Sequence, residues 1–379
     1  MGEVVRKVNK VLVIGGGITG LTLAVALRKK GIEVDLVEIK PDLTGAVGVG
    51  LTLMHNALLV LDRIGVVNAC IDAGMPAYHF NMCGPDGSVI REQPTGLRGG
   101  QLPGHVSMSR GALHRILIDA ALNEGTKMRM GVTAVPVGET GESIDLSFSD
   151  GSTGTYDVVV GADGVRSAMR ERLFPEVEVK FTGLAIWRAA VPRPEQIQTS
   201  HLHLGGEYGV VGICPISKRD AYLYIVESAA DRPWLDDSRL HEIMQAKLAT
   251  GYNSLVVELA HTLKSSENIS YRPIEWHLVS APWYCGRQII LGDAAHTNPP
   301  VLAQGAAMGM EDAVVLADLL AECDLTSDAL EEFMRRRIAR VKTVVENSVL
   351  LAKAEVEHDA DLDIGAIFAQ TAAVLAQPL

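Results

Sequence analysis

VLVIGGGITGLTLAVALRKKGIEVDLVE, residues 11–38, is the stretch from which the rest of the chain is read. Residues 11–14 are a short apolar run of the kind that forms a buried strand. Gly15, Gly17 and Gly20 follow as G-x-G-x-x-G. Ala24, Leu27 and their apolar neighbours recur at helical spacing. Residues 32–37 then alternate as a second strand and lead into Glu38. Strand, glycine turn, helix, strand and acid, in that order, make the dinucleotide-binding βαβ unit.

Each position has a physical reason. Gly15 allows the tight turn. Gly17 lets the backbone approach a pyrophosphate. Gly20 and Ala24 let the helix pack close to the strand. The helix N-terminus offers free N–H groups and a partial positive charge to phosphates. Glu38 can accept hydrogen bonds from a ribose. An acid there favours a free 2′-hydroxyl, so FAD or NAD fits better than NADP.

With 379 residues the chain has room for two domains and a sizeable core. A net charge of −12 argues against a nucleic-acid partner. The basic cluster Arg335, Arg336, Arg337, Arg340 and Lys342 follows Glu331 and Glu332 and reads as a solvated, salt-bridged helix face. The five cysteines are widely spaced and show no CxxC or Cys/His metal spacing, so the expectation is a reduced cytoplasmic chain without a metal. The N-terminus lacks a signal-peptide apolar region, and no apolar run is long enough to span a bilayer.

Working outward, residues 41–47 read as a loop and 57–64 as a helix stopped by Gly65. Residues 76–107 read as a hairpin turning at 84–87, and 111–123 as a helix. Arg110, at that helix start, suits either a phosphate or a surface salt bridge. Residues 127–160 read as short strands with hairpin signals at Gly138 and at 149–151. A second strand-turn-helix follows at 158–173, where Asp163 either caps the helix or holds a ribose. Residues 176–285 alternate as an antiparallel sheet with one helix near 238–250. A buried strand returns at 288–291. Gly305 then opens a helix, 329–357 reads as one or two helices, and a short helix closes the tail.

Three motifs stand in order: Gly15-x-Gly17-x-x-Gly20, Gly161-Ala162-Asp163-Gly164-x-x-Ser167-x-x-Arg170, and Gly292-Asp293-Ala294-Ala295-His296-x-x-Pro299-Pro300. Together they resemble the single-component FAD-dependent aromatic hydroxylases, the para-hydroxybenzoate hydroxylase-like flavoprotein monooxygenases, over about residues 10–345. The resemblance implies an α/β fold, with a Rossmann-like FAD-binding domain (1–75, 104–175, 284–345). It also implies an inserted antiparallel-sheet substrate domain (76–103, 176–283) and a C-terminal helical segment (346–379).

The same resemblance assigns cofactor roles. Glu38 would hold the adenosine ribose, Arg110 would face the ribityl and pyrophosphate portion, and Asp163-Gly164 would serve FAD and NAD(P)H. Asp293 would hold the ribityl end, and Gln304, Gly305, Ala306 and Ala307 would lie against the isoalloxazine. A helix starting there places N–H donors against the negative charge of reduced flavin. In that family the reduced flavin and O2 give a C4a-hydroperoxide that hydroxylates an electron-rich ring when water is kept out. NADH or NADPH visits and leaves, which suits a chain with no second G-x-G-x-x-G.

For the substrate, Pro300, Val301 and Leu302 would form one wall of a flat pocket. Candidates for the other wall are Tyr208, Cys214, Tyr222 and Tyr224, with Arg188, Thr52 and His55 beside them. Alternation puts Tyr222 and Tyr224 on one face without saying which. His296 reads as structural, and the catalytic base is unassigned. The implied partners are a small aromatic substrate, O2 and NAD(P)H, with no nucleic acid and no membrane, in a monomer or homodimer. Epoxidation or Baeyer–Villiger chemistry on a larger natural product, or a flavin-binding module without turnover, stay open. Trp187 stands alone, without the W-x-W-x-I-P of flavin halogenases.

Overall fold

The computed structural model describes residues 8–42, 49–96, 100–229, 235–359 and 361–379. Most of the loop expected at 41–47 lies outside them. The opening βαβ unit forms as read, with strand Lys10–Ile14, helix Ile18–Lys29 and strand Glu33–Glu38. The first strand is central in a six-stranded sheet. Val11 pairs with Val158 on one side and with Val34 on the other, both in parallel. Strands Lys127–Met130 and Gln288–Ile290 extend the parallel sheet, and Tyr284–Cys285 adds a short antiparallel edge. Helices Ile18–Lys29, Arg110–Asn123 and Gly305–Glu322 pack together against this sheet. A parallel strand so covered reads as a continuous apolar run, as VLVI does.

The second large sheet has eight strands, in the order His296–Thr297, Ile269–Leu278, Lys180–Pro192, Asp220–Ser228, Gly209–Pro215, His201–Gly206, His79–Cys83 and Val89–Pro94. It is antiparallel except where His201–Gly206 runs parallel to His79–Cys83. Its two faces are chemically distinct. Trp187, Leu223 and Ile225 point to helices Leu240–Leu248 and Ser254–His261, while Tyr222 and Tyr224 point the other way. The helix expected near 238–250 forms as Leu240–Leu248, and a second helix that the sequence reading did not include, Ser254–His261, follows it. Gly251, at φ 80°, breaks the first, and the Asn253 side chain caps the second by accepting from Val256 N at 3.1 Å.

Gly138 is not a turn residue. It lies inside strand Ala134–Glu139 at a register shift, and residues 140–143 make the turn. The hairpin signal at 149–151 falls in the turn between Ile144–Phe148 and Thr153–Tyr156. A small third sheet, Gly50–Met54, His105–Ser109 and Met75–Ala77, lies between the two large ones.

Helix Thr326–Glu357 is unbroken, and the last helix, Ile364–Leu375, docks Ile367 against Leu302 and Leu351. The basic cluster on the long helix is split, which corrects the solvated reading. Arg335 and Arg336 pair with Glu332 in solvent, whereas Arg337 and Arg340 are 1% and 7% exposed. The helical period places 337, 340, 341 and 344 on the face that meets the body. No helix among the described residues is long and apolar enough to cross a membrane.

Candidate functional site

The glycine turn is fixed by contacts that leave one side open. Gly15 has φ 108°, and a Cβ there would lie 2.3 Å from the Ala162 carbonyl oxygen. A Cβ on Gly20 would lie 2.0 Å from the Gly15 oxygen. On Gly17 the nearest protein atom to a Cβ would be 4.0 Å away. So Gly15 and Gly20 are glycines for the protein's own packing, whereas nothing in the protein requires Gly17 to lack a side chain. Gly17 is also the N-cap of helix Ile18–Lys29, with no side-chain cap, so the first N–H groups face that open side. Glu38 spans the turn: Gly16 N donates to its Oε2 at 2.8 Å and Lys40 N to its Oε1 at 2.9 Å. His114, which the motif reading passed over, holds the loop from the other side through a 2.6 Å contact to the Gly16 carbonyl.

The second motif joins the third. Arg170 is buried, donates to the Ala294 carbonyl at 3.4 Å, and lies 3.1 Å from His277 Nε2. Burial and the Arg170 charge push the His277 imidazole down to about 4, so it is neutral. Ser167 caps the helix Ala168–Leu173 by accepting from Arg170 N, and Asp163 Oδ2 accepts from Met169 N at 3.2 Å. Capping is therefore one role of Asp163. Its Oδ1 is buried and has no hydrogen-bond partner from the protein, which leaves it available to a ligand hydroxyl. Gly164 follows at φ 80° with open space around it. Asp293 is accessible to water yet surrounded by protein, as a group in a cleft is. Those surroundings raise its carboxyl, and the nearby Arg110 and His296 act against that rise. Arg110 is exposed at the first turn of its helix, near enough for its charge to act on Asp293.

Helix Gly305–Glu322 begins after Ala303, which sits at φ 52°. Gln304 is its N-cap but does not cap with its side chain; its Oε1 accepts from Asn56 at 2.9 Å. The backbone N–H groups of Gly305, Ala306 and Ala307 therefore have no intrahelical partner, and no side chain among the described residues caps them. A buried charge network fixes the helix behind them. Arg337 donates to Asp312 at 2.8 Å and to Glu311 at 2.7 Å. His296 Nε2 lies 2.6 Å from Asp312, whose same oxygen accepts from Gly292 N at 3.1 Å. Burial alone would raise both acids, but the cations outweigh it. Asp312 is held at about 2 and Glu311 below its ordinary value. The His296 ring is tilted 40° against Trp283, with centroids 5.1 Å apart.

The substrate-wall candidates separate. Arg188, Cys214, Tyr222 and Tyr224 share one sheet face, with Arg188 Nε donating to Tyr222 Oη at 3.1 Å and the two tyrosine rings 5.1 Å apart. Strand Gly50–Met54 lies against this face: a Cβ on Gly50 would come within 3.1 Å of Tyr222 Cβ. Thr52, two residues on, points the same way and meets Ser107 Oγ at 3.0 Å. His55 is half-buried at the start of the next helix, 3.1 Å from the Pro103 carbonyl. Pro300 and Val301 are exposed in the short turn before Gly305, but Leu302 is no wall residue; it packs into Leu351 and Ile367. Tyr208 is on the opposite side, beneath the Lys247 ammonium at 4.4 Å, because it sits in the tight turn that faces the helical layer.

Residues 9–348 match the protein family described as FAD binding domain. The chain is 30% identical over 344 residues to the 2-heptyl-3-hydroxy-4(1H)-quinolone synthase of Pseudomonas aeruginosa, covering 90% of this chain and 88% of that protein. It is 28% identical to the 6-hydroxynicotinate 3-monooxygenase of Pseudomonas fluorescens, with 83% of each chain covered. Among solved structures, Klebsiella pneumoniae HpxO complexed with FAD and uric acid matches with a TM-score of 0.81 at 22% identity, covering 97% of this chain and 93% of that one, which shows the fold.

Proposed function

From the premise that this chain belongs to the FAD-binding-domain family and is an FAD-dependent aromatic monooxygenase, we propose that its substrate is a small electron-rich ring of the hydroxybenzoate or hydroxypyridine type, with NADH or NADPH as the transient reductant. One atom of O2 goes to the ring as hydroxyl and the other leaves as water, while NAD(P)H supplies two electrons. FAD, when bound, supplies the link between the nicotinamide and O2.

The chain's own groups fit that cofactor. The open side of Gly17 and the uncapped helix start suit a pyrophosphate. Glu38 suits the adenosine ribose, Arg110 and Asp293 the middle of the molecule, and the N–H groups at Gly305–Ala307 an electron-rich ring edge. Asp163 Oδ1 and Gly164 line a further polar place beside them.

The observation that carries the substrate reading is the Arg188–Tyr222–Tyr224 face. Arg188 is a fixed cation able to bind a carboxylate or ring oxygen. Burial pushes both tyrosines up, so they stay protonated at neutral pH. They are hydrogen-bond donors with aromatic bodies and are not bases. The wall therefore positions a flat anionic ring and excludes water rather than removing its proton. The relatives' names support the same choice, since both point to nitrogen heteroaromatics that bear an oxygen.

The test is NAD(P)H oxidation by the FAD-loaded protein across hydroxybenzoates, hydroxypyridines and 4-quinolones. One of them is expected to accelerate oxidation and yield a hydroxylated product. Stoichiometric peroxide with every member would overturn the reading.

A further inference from the structure

We propose that Cys83, His201 and His203 bind one divalent cation of the zinc type, which fastens the hairpin His79–Cys83/Val89–Pro94 to the eight-stranded sheet. The sequence gives no warning of it, because Cys83 and His201 are separated by 118 residues. The fold closes that gap. His201-Leu202-His203 places both imidazoles on one strand face, and the parallel register sets His201 beside Asn81 and His203 beside Cys83. One ligand atom from each of the three lies within 4.8 Å of the others. A tetrahedral ion with a Zn–S bond of about 2.3 Å and a Zn–N bond of about 2.1 Å holds its sulfur and nitrogen about 3.6 Å apart. Cys83 Sγ and His201 Nδ1 are already 3.9 Å apart.

The second shell is that of a metal site. His203 Nδ1 lies 3.2 Å from the Gly84 carbonyl, which can only accept, and farther, at 3.4 Å, from the Asn253 amide nitrogen; the shorter contact sets the proton on Nδ1. The lone pair is then on Nε2, which is buried with no partner in a residue only 1% exposed. The Asn81 amide touches His201 Nε2 at 3.0 Å, and its Oδ1 is a buried orphan. With the amide oxygen turned onto Nε2–H, that orphan is satisfied and the His201 Nδ1 lone pair faces Cys83.

An ion has a way in. A cavity of about 320 Å³, lined by His79, Asn81, Thr199 and His201 among others, opens beside the cluster. It would admit a water to the fourth tetrahedral position. One thiolate and two imidazoles favour Zn2+ over the oxygen-seeking Mg2+ and Ca2+. The ion would clamp the one parallel join in an otherwise antiparallel sheet, which is held by a short register of three residue pairs.

The FAD-loaded full chain is stripped with a chelator and titrated with Co2+, reading the difference spectrum against the metal-free holoprotein together with metal analysis. One Co2+ per chain is expected, with the strong long-wavelength bands of a tetrahedral site and a thiolate charge-transfer band, all displaced by Zn2+. Cys83→Ser should lose the charge-transfer band and weaken binding at least about tenfold, and His203→Gln should weaken it similarly. Cys285→Ser, at an exposed cysteine elsewhere, should change nothing. Retained FAD and circular dichroism verify folding. If His203→Gln fails to fold, the near-isosteric Cys83→Ser decides alone. Absence of a tetrahedral spectrum in the parent protein, or an unchanged spectrum in Cys83→Ser, would overturn the proposal.

Discussion

Arg340 donates to both carboxylate oxygens of Glu311, at 2.7 and 2.8 Å, with Glu311 fully buried. The same guanidinium also donates to the backbone carbonyls of Val374, Leu375 and Gln377, so it ties the last helix to the helix that begins at Gly305. Arg337 completes the neutralisation from one turn away. Arg337→Met should leave Glu311 and Asp312 undercompensated and cost about 3–5 kcal/mol. The expected outcome is a melting temperature lower by several degrees and a reduced FAD content on purification. A melting temperature within about one degree of the parent would refute the assignment.

The two acids also set an acid limit. Their folded-state values are depressed, so their contribution is whole above the unfolded carboxylate value of about 4 and is lost as pH falls toward the folded value. For Asp312 that value is about 2. Thermal melts from pH 6 to pH 3 should be flat with respect to this pair at first and turn down below about pH 4, with flavin released in the same step. Melts that stay level to pH 3 would mean the pair is not ionised in the native state.

Gly15 and Gly17 should fail differently when changed to alanine. Gly15→Ala strains a φ of 108° and drives a Cβ to 2.3 Å from a carbonyl, so it should impair folding. Gly17→Ala meets no protein atom closer than 4.0 Å and should fold, yet bind FAD at least about tenfold more weakly. Circular dichroism paired with FAD titration separates the two. Unchanged FAD affinity in Gly17→Ala would place the cofactor elsewhere.

Neighbouring residues on strand Asp220–Ser228 should also part ways. Tyr222→Phe removes the charge-assisted Arg188 contact at a cost of about 1.5–3 kcal/mol and should raise the share of NAD(P)H consumed as peroxide. Leu223→Ala, in the opposite core, should cost about 2–5 kcal/mol and leave that share unchanged. Product and peroxide yields beside a thermal melt give both readings. Equal uncoupling in the two variants would sink the division of faces.

The nucleotide end was legible because its information is local: residues 11–38 carry strand, turn, helix and acid within one supersecondary unit. What the sequence left open depends on distant partners. Alternation pairs Tyr222 with Tyr224, but only helices Leu240–Leu248 and Ser254–His261, packed on the other face, decide which side they take. The burial of Arg337 and Arg340 had a trace, the adjacent Glu311-Asp312 on an otherwise apolar helix, which needed cations from elsewhere. The approach of Cys83 to His201 and His203 had no trace, because the parallel register that sets Cys83 beside His203 joins strands far apart in sequence.

The alternation along the substrate sheet also bears on redesign. Positions 188, 214, 222 and 224 line one surface, while 187, 223 and 225 anchor the other. If the first set meets the ring as proposed, a mutagenesis library confined to it changes which ring is accepted while leaving the Trp187, Leu223 and Ile225 core in place.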